Sequence, residues 1–253
     1  MLSQAQVAQY QADGYVVPDY RLGEDALDTL RDAHARLVAR HPEYADYCPS
    51  VLAYDLAFLN VARDPAIVDM VEQVLGPDFA LWNMSLFAKP ARVGRRTPWH
   101  QDGEYWPIRP LATCTVWLAI DASTVENGCL RVLPGSHRAK KLYRHVTNDD
   151  PALTLSQELV DADCREADAV DLVLDPGRMS LHDIYLAHGS EPNLSDRPRR
   201  GLTMRFMPTT SLFDRALADD LHRRNGLRNH ADRTLFLMRG QDRTGQNDFR
   251  LRR

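Results

Sequence analysis

His100 and Asp102 stand two residues apart in the stretch TPWHQDGEYWP, residues 97–107. On a regular strand, side chains at i and i+2 point to the same face, so this spacing predicts that an imidazole and a carboxylate can meet one metal ion. A third ligand has to come from elsewhere. His188, in LAHGSEPN, is the best placed, because it ends an expected strand over RMSLHDIYLAH and a Gly-Ser turn follows it at once. Two histidines and one carboxylate on one face of an octahedron leave positions open for reactants, which is the ligand set of non-haem Fe(II) oxygenases. An isolated HxD pair is common, and nine histidines are available to complete it. His182 has the parity of His188 and is expected to face inward, in a packing or pocket role rather than as a fourth ligand, since oxygen chemistry needs open positions. Asp183 has the opposite parity. Glu104 shares the parity of the HxD pair but is not required as a ligand. His34, His41, His222 and His230 lie in helical or charged tracts and are expected at the surface.

An arginine that follows the distal histidine across a turn can return beside the metal and hold a carboxylate with its planar fork. Arg199 lies eleven residues after His188, across NLSDRP and at the start of the strand RGLTMRF. Arg197, Arg200 and Arg205 crowd the same segment, and the residues alone leave the choice open. Beyond the HxD pair, Tyr105, Trp106 and Arg109 would face the mouth of a barrel if the chain follows its rim. The rings would pack an apolar substrate or surround a quaternary ammonium, and the arginine would bind a carboxylate or phosphonate. The alternative for Tyr105 and Trp106 is that they cap the barrel core.

These residues need a scaffold. SQAQVAQYQADG reads as a helix from Ser3 to Gly14, and GEDALDTLRDAHARLVARH repeats Ala26, Leu27, Leu30, Ala33 and Leu37 at helical spacing. DPAIVDMVEQVLGPD opens on Asp-Pro and closes at Gly76-Pro77, a third helix. From about residue 79 the rhythm changes to short β-branched and aromatic runs such as FALWNMSLFAK, ATCTVWLAI, CLRVLP, AVDLVLDPG and GLTMRFMP, separated by Gly, Pro and Asn turns. Short strands at this spacing predict a sandwich or barrel with the early helices over one face. From about 211 the chain is charged and reads as helical or irregular.

The 253 residues fit one domain, 1–253, with helical support over 1–78, a β core over 79–210 and an extension over 211–253. With 31 basic against 35 acidic side chains and no basic stripe, nucleic acid is not an expected partner. No basic-then-apolar leader opens the sequence, and no apolar run approaches the roughly 18 residues of a membrane span, so the expectation is a cytoplasmic protein without a membrane partner. Cys48, Cys114, Cys129 and Cys164 are widely spaced without a CxxC and are expected as free thiols.

Three motifs in order, WHQDGEYWP, TVWLAIDASTVENGCLRVLPGSHR and LHDIYLAHGSEPNLSDRPRRGLTMRF, together resemble the phytanoyl-CoA dioxygenase (PhyH-like) family of Fe(II)/2-oxoglutarate-dependent oxygenases over roughly residues 80–210. The resemblance implies a mainly β fold with flanking α-helices, a double-stranded β-helix or jelly-roll, cupin-like barrel. It implies Fe(II) as cofactor, with 2-oxoglutarate and O2 as co-substrates. Carried onto this sequence, the metal ligands fall on His100, Asp102 and His188 and the 2-oxoglutarate-binding arginine on Arg199. Ser190, Trp117 and Gln101 fall around the co-substrate. Gly128, Pro134 and Gly135 have a turn-forming explanation. The implied activity is hydroxylation of an unactivated C–H in a small polar metabolite or natural-product intermediate, with release of succinate and CO2. Asp102 as an intact carboxylate disfavours halogenation, whereas desaturation, epoxidation and cyclisation stay open, as does a jelly-roll binding or regulatory protein that keeps the metal frame. The implied partner is a small molecule, and the sequence leaves the oligomeric state open.

Overall fold

The computed structural model describes residues 1–103, 105–160, 165–226 and 228–252. Glu104 and Cys164 therefore lie outside the described residues. The helices form where their caps say they should. Ser3 caps α1 (Gln4–Asp13) in a reciprocal capping box with Gln6, and Gly14 at φ 82° ends it. Helix α2 (Glu24–Arg40) buries Leu27, Leu30, Ala33 and Leu37, one stripe at helical period. After the short α3 (Leu59–Ala62), the Asp64 carboxylate accepts from the Ala66 and Ile67 amides to start α4 (Pro65–Leu75), with proline at its first position. Asp214 caps α5 (Arg215–Asn225).

The strands in chain order are β1 (Tyr15–Val16), β2 (Tyr47–Cys48), β3 (Phe79–Phe87), β4 (Thr97–His100), β5 (Ile108–Arg109), β6 (Cys114–Ala119), β7 (Leu130–Val132), β8 (His145–Thr147), β9 (Gln157–Leu159), β10 (Val170–Leu172), β11 (Met179–Asp183), β12 (His188–Ser190), β13 (Gly201–Pro208), β14 (Leu212–Phe213) and β15 (Phe236–Arg239). A major antiparallel sheet runs β1-β11-β6-β13-β3-β15, with β2 also paired to β3, and a minor sheet runs β10-β7-β12-β4. The two sheets form a jelly-roll. Period-two alternation explains both faces of the major sheet. Val116 and Leu118 on β6, Met179 and Leu181 on β11, and Leu202 and Met204 on β13 join the helices in one buried apolar cluster. The alternate residues, Thr115, Trp117, His182, Thr203 and Arg205, line a cavity together with His100, Leu130 and His188 of the minor sheet.

Two expectations about strands change. The run RMSLHDIYLAH is two strands: β11 ends at Asp183, whose carboxylate accepts the Tyr185 amide at 2.9 Å in a turn, and the chain crosses to the other sheet, where His188 opens β12 rather than ending a strand. Likewise β4 stops at His100, and Asp102 stands in the turn that follows. Gly103, at φ 104° and packed on Ile184 so closely that a Cβ would meet its side chain at 2.8 Å, makes that turn possible. Strand parity thus does not bring Asp102 to His100; the turn does.

The major sheet also draws on both ends of the chain. Strands β1 and β2 come from the first 78 residues and β15 from the last 43, and Arg239 of β15 pairs with Asp69 (2.8 Å) and Glu72 of α4. Cys48, Cys114 and Cys129 are free and buried. Among the described residues, no helix is long and apolar enough to cross a membrane.

Candidate metal centre

Strands β12 and β4 pair with His188 directly opposite His100, ring centroids 4.2 Å apart. Each ring has its Nδ1 2.9 Å from the carbonyl oxygen two residues earlier, Pro98 for His100 and Leu186 for His188. A carbonyl can only accept, so Nδ1 carries the hydrogen in both rings and each Nε2 presents a lone pair. Asp102 completes the group: one ligand atom from each of His100, Asp102 and His188 lies within 4.8 Å of the others, and all three residues are buried. Burial holds both imidazoles below their usual pKa and so neutral. Burial pushes the Asp102 carboxyl up, but the Arg205 guanidinium, the largest of the opposing causes, outweighs it together with the histidines around it and holds the group below the usual carboxylate range. Two neutral imidazoles and one carboxylate are the protonation states a divalent metal requires, so the donor set fits such an ion.

The carboxylate is held from several sides. Thr115 Oγ1 donates to Oδ2 at 3.2 Å, Arg205 Nε stands 3.7 Å away and His182 Nε2 3.8 Å away. His182 is buried with its ring 4.7 Å from that of His188; it does face inward, but from β11 of the major sheet and not by sharing a strand with His188, and among the described residues neither of its nitrogens has a hydrogen-bond partner. Asp183 is turned away, ion-paired to Lys140 at 2.6 Å.

Beside the triad, the same cavity takes in Thr97, Trp117, Ser190 and Arg199. Arg199 is fully enclosed just before β13, its Nε and Nη2 donating to Gly128 O at 3.1 and 2.7 Å and Nη1 to Phe87 O at 3.2 Å. Its guanidinium carbon lies 5.2 Å from the Trp117 ring centre, and burial lowers its pKa to about 10. The competing arginines are elsewhere: Arg197 is exposed, Arg200 is paired with Asp121 at 2.7 and 2.8 Å, and Arg205 serves the Asp102 side. Gln101 does not join this group. Its amide donates to Lys141 O (3.1 Å) and Tyr185 O (2.7 Å) and accepts the Tyr143 amide at 2.6 Å, so it ties loops together rather than meeting a co-substrate. Thr97, Thr115 and Thr203 were not singled out from sequence, and Arg205 only as a competitor of Arg199. For Thr115, Thr203 and Arg205 the signal was a polar residue at alternate positions of TCTVW and LTMRF, on the face opposite the apolar one; Thr97 carried no such signal.

On the other side of His100 and Asp102 opens a cavity of about 280 Å³. Tyr105 and Trp106 both line it, the Tyr105 hydroxyl donating to Gln157 of β9. Trp106 is also a packing residue, edge-on to Trp82 at 4.6 Å and under the Arg205 guanidinium at 5.1 Å, so it is at once cavity wall and core. Arg109 is a correction. It is exposed on β5, its Nη1 donating to Trp106 O (2.9 Å) and Ile108 O (2.7 Å), and it is not among the cavity's described walls. His230 is another: rather than lying at the surface, it lines this cavity 5.7 Å from the Trp82 ring and accepts a hydrogen bond from Arg233 Nε at 2.8 Å. His34 too is half-buried, not exposed.

Compared with known proteins, residues 1–201 match the profile of the family described as phytanoyl-CoA dioxygenase (PhyH). The chain belongs to the PhyH family. Among curated relatives, a phytanoyl-CoA dioxygenase domain-containing protein 1 homolog of Dictyostelium discoideum is 34% identical over 130 residues, 51% of this chain and 46% of that protein. The ectoine dioxygenase of Sphingopyxis alaskensis is 26% identical over 225 residues, 78% of this chain and 73% of that one. Several of the curated PhyH relatives are thus matched over about half their length or less. Among solved structures, the apo form of the non-heme monooxygenase ThoJ superposes with a TM-score of 0.75 at 27% identity, over 98% of this chain and 87% of that one. The PhyH match ends at residue 201, so Arg205, His230 and Arg233 on the outer cavity lie beyond it.

Proposed function

We propose that this PhyH-family chain is an Fe(II)- and 2-oxoglutarate-dependent oxygenase that hydroxylates an unactivated C–H of a small polar metabolite or natural-product intermediate. The observation that carries the reading is the His100–Asp102–His188 cluster, with both Nε2 lone pairs directed inward by Nδ1 hydrogen bonds to backbone. Iron bound there, with 2-oxoglutarate and O2, would supply the oxidising chemistry, releasing succinate and CO2 as a substrate C–H becomes C–OH.

The chain's own part is orientation and exclusion of water. Arg199 would seat the distal carboxylate of 2-oxoglutarate. Three of its five N–H donors are engaged by backbone carbonyls, which fixes the plane of the fork, and Trp117 packs on its face. Ser190, buried on β12 opposite Thr97, would line the same seat. Asp102 occupies the position that a halogenase would leave to chloride, which favours hydroxylation over halogenation. Tyr105 and Trp106 would present the substrate from the outer cavity.

Anaerobic addition of Fe(II) and 2-oxoglutarate is expected to produce a visible metal-to-ligand charge-transfer band, and oxygen should then yield succinate. A protein giving neither band nor succinate would not be this enzyme.

A further inference from the structure

Arg205, Arg228, His230 and Arg233 converge on the outer cavity, and Asp102 is the acidic residue among its described walls. The chain as a whole carries a net charge of −4, and many of its outer arginines are paired with acids: Arg131 with Glu166, Asp171 and Glu191, Arg200 with Asp121, Arg239 with Asp69 and Glu72. The cavity reverses that pattern. Among the described residues the one acid paired with Arg205 is Asp102, at 3.7 Å, and that carboxylate belongs to the triad. Arg233 donates to three neutral acceptors, His230 Nδ1 at 2.8 Å, Asn83 Oδ1 at 2.5 Å and Pro49 O at 3.2 Å, and among the described residues neither Arg233 nor Arg228 has an ion pair.

A guanidinium partly withdrawn from water without a counter-charge is costly, and burial lowers the pKa of the half-buried Arg233 to about 9. The donor count shows what would offset the cost. Of the five N–H bonds, Nε–H goes to His230, one on Nη1 to Asn83 and one on Nη2 to Pro49. One hydrogen remains on each terminal nitrogen, without an acceptor among the described residues and able to donate to an oxyanion. At about 280 Å³ the cavity lies just under the range of small-molecule sites, which run from about 300 Å³ upward.

We infer that Arg228 and Arg233 form an oxyanion seat, so that the molecule entering this cavity carries a carboxylate or phosphoryl group. That this molecule is the oxygenase substrate rests on the reading proposed above; the binding itself does not.

Titration calorimetry on the full chain, anaerobic with Fe(II) and saturating 2-oxoglutarate so that the Arg199 seat is filled, tests it with inorganic phosphate, phenyl phosphate, phenylacetate and the neutral phenylacetamide. At least one anion should bind about tenfold or more tightly than the amide, as expected for hydrogen bonds to a charged group. The tighter of phenyl phosphate and phenylacetate identifies which oxyanion the seat is built for. Arg228→Gln, at an exposed side chain, and Arg233→Lys, which keeps the charge and loses the fork, should each erode that preference, and melting curves report whether each variant folds. If no anion binds more tightly than phenylacetamide, or if a folded Arg228→Gln/Arg233→Lys double variant keeps the full preference, the seat does not exist. Anion preference in a protein that forms no charge-transfer band sinks the oxygenase reading alone, and a band without the preference sinks the oxyanion seat alone.

Discussion

A histidine that offers Nε2 to a metal must place its Nδ1 hydrogen elsewhere, and His100 and His188 do so in the same way, on the carbonyl two residues back. His182 has no such bond, and its Nε2 stands 3.8 Å from Asp102, next to the ligand cluster but outside it. His100→Ala or His188→Ala should therefore abolish the anaerobic Fe(II)/2-oxoglutarate band, while His182→Asn keeps most of it; equal loss in all three would mean the ligands are assigned wrongly. Arg199 makes a second case. Neither composition nor spacing separated it from its arginine neighbours. The distinction lies in what each fork faces: a carboxylate for Arg200, solvent for Arg197, and for Arg199 backbone carbonyls and a tryptophan face inside the cavity. Removing one partner of a buried, hydrogen-bonded charge pair costs about 2–5 kcal/mol, so Arg199→Met should weaken 2-oxoglutarate binding by roughly thirtyfold or more. Arg199→Lys, charged but without the planar fork, should recover only part of it. Titration of the band with 2-oxoglutarate measures both.

Elements were legible where their signal is local. Ser3 with Gln6, Asp64 before Pro65 and the Leu27–Leu30–Ala33–Leu37 stripe each carry their explanation within one or two turns of helix. Strand ends were not, because they are set by partners far along the chain: β4 stops at His100 where the Gly103 turn packs on Ile184, and β11 stops where Asp183 captures the Tyr185 amide. Gly201 is a similar hidden constraint. It pairs with Ala119 and Phe87 at the start of β13, and a Cβ there would meet Trp117 Cζ2 at 2.2 Å. Gly201→Ala must displace the indole that covers Arg199, so it should cost about 1–3 kcal/mol of stability, the range for overpacking, and weaken 2-oxoglutarate binding in the same variant. Loss of stability with unchanged 2-oxoglutarate affinity would separate Trp117 from the co-substrate seat. Helix α2 carries a pH signal of its own. Burial, with Arg200 adding to it, lowers the His34 pKa from 6.5 to about 4. Between those values the unfolded chain holds a proton that the folded chain refuses, so stability rises with pH across this window and is lost as pH falls from about 6.5 toward 4. Chemical denaturation of His34→Asn should give a flatter profile over that interval, and an identical slope would remove His34 as the cause.

At the scale of the molecule, the fold class and the helix-covered face could be read from the sequence, but the reach of the chain's two ends could not. Nothing in a charged tail indicates that Phe236–Arg239 will complete the edge of β3, more than 140 residues earlier, or that His230 and Arg233 will wall the cavity beside Asp102. Contacts of that separation have no period to reveal them. They do have a thermodynamic consequence. The proposed metal ligands come from the end of β4, the turn after it and the start of β12, while Arg199 sits just before β13 of the other sheet. Metal and 2-oxoglutarate bound together would span both sheets, and the unfolded chain offers nothing equivalent. A ligand present at 100 times its Kd and bound only by the native state adds about 2.7 kcal/mol. For a chain of this size that is roughly 5–10 °C in Tm, at about 2–4 °C per kcal/mol. Ni(II), which does not turn over with oxygen, should raise Tm in this range when saturating 2-oxoglutarate is present, and less without it. EDTA should return the transition to its starting point, and His100→Ala should show no shift. A transition that ignores Ni(II) and 2-oxoglutarate, or that moves as far in His100→Ala as in the wild type, would place the metal, if any binds, somewhere other than between these two sheets.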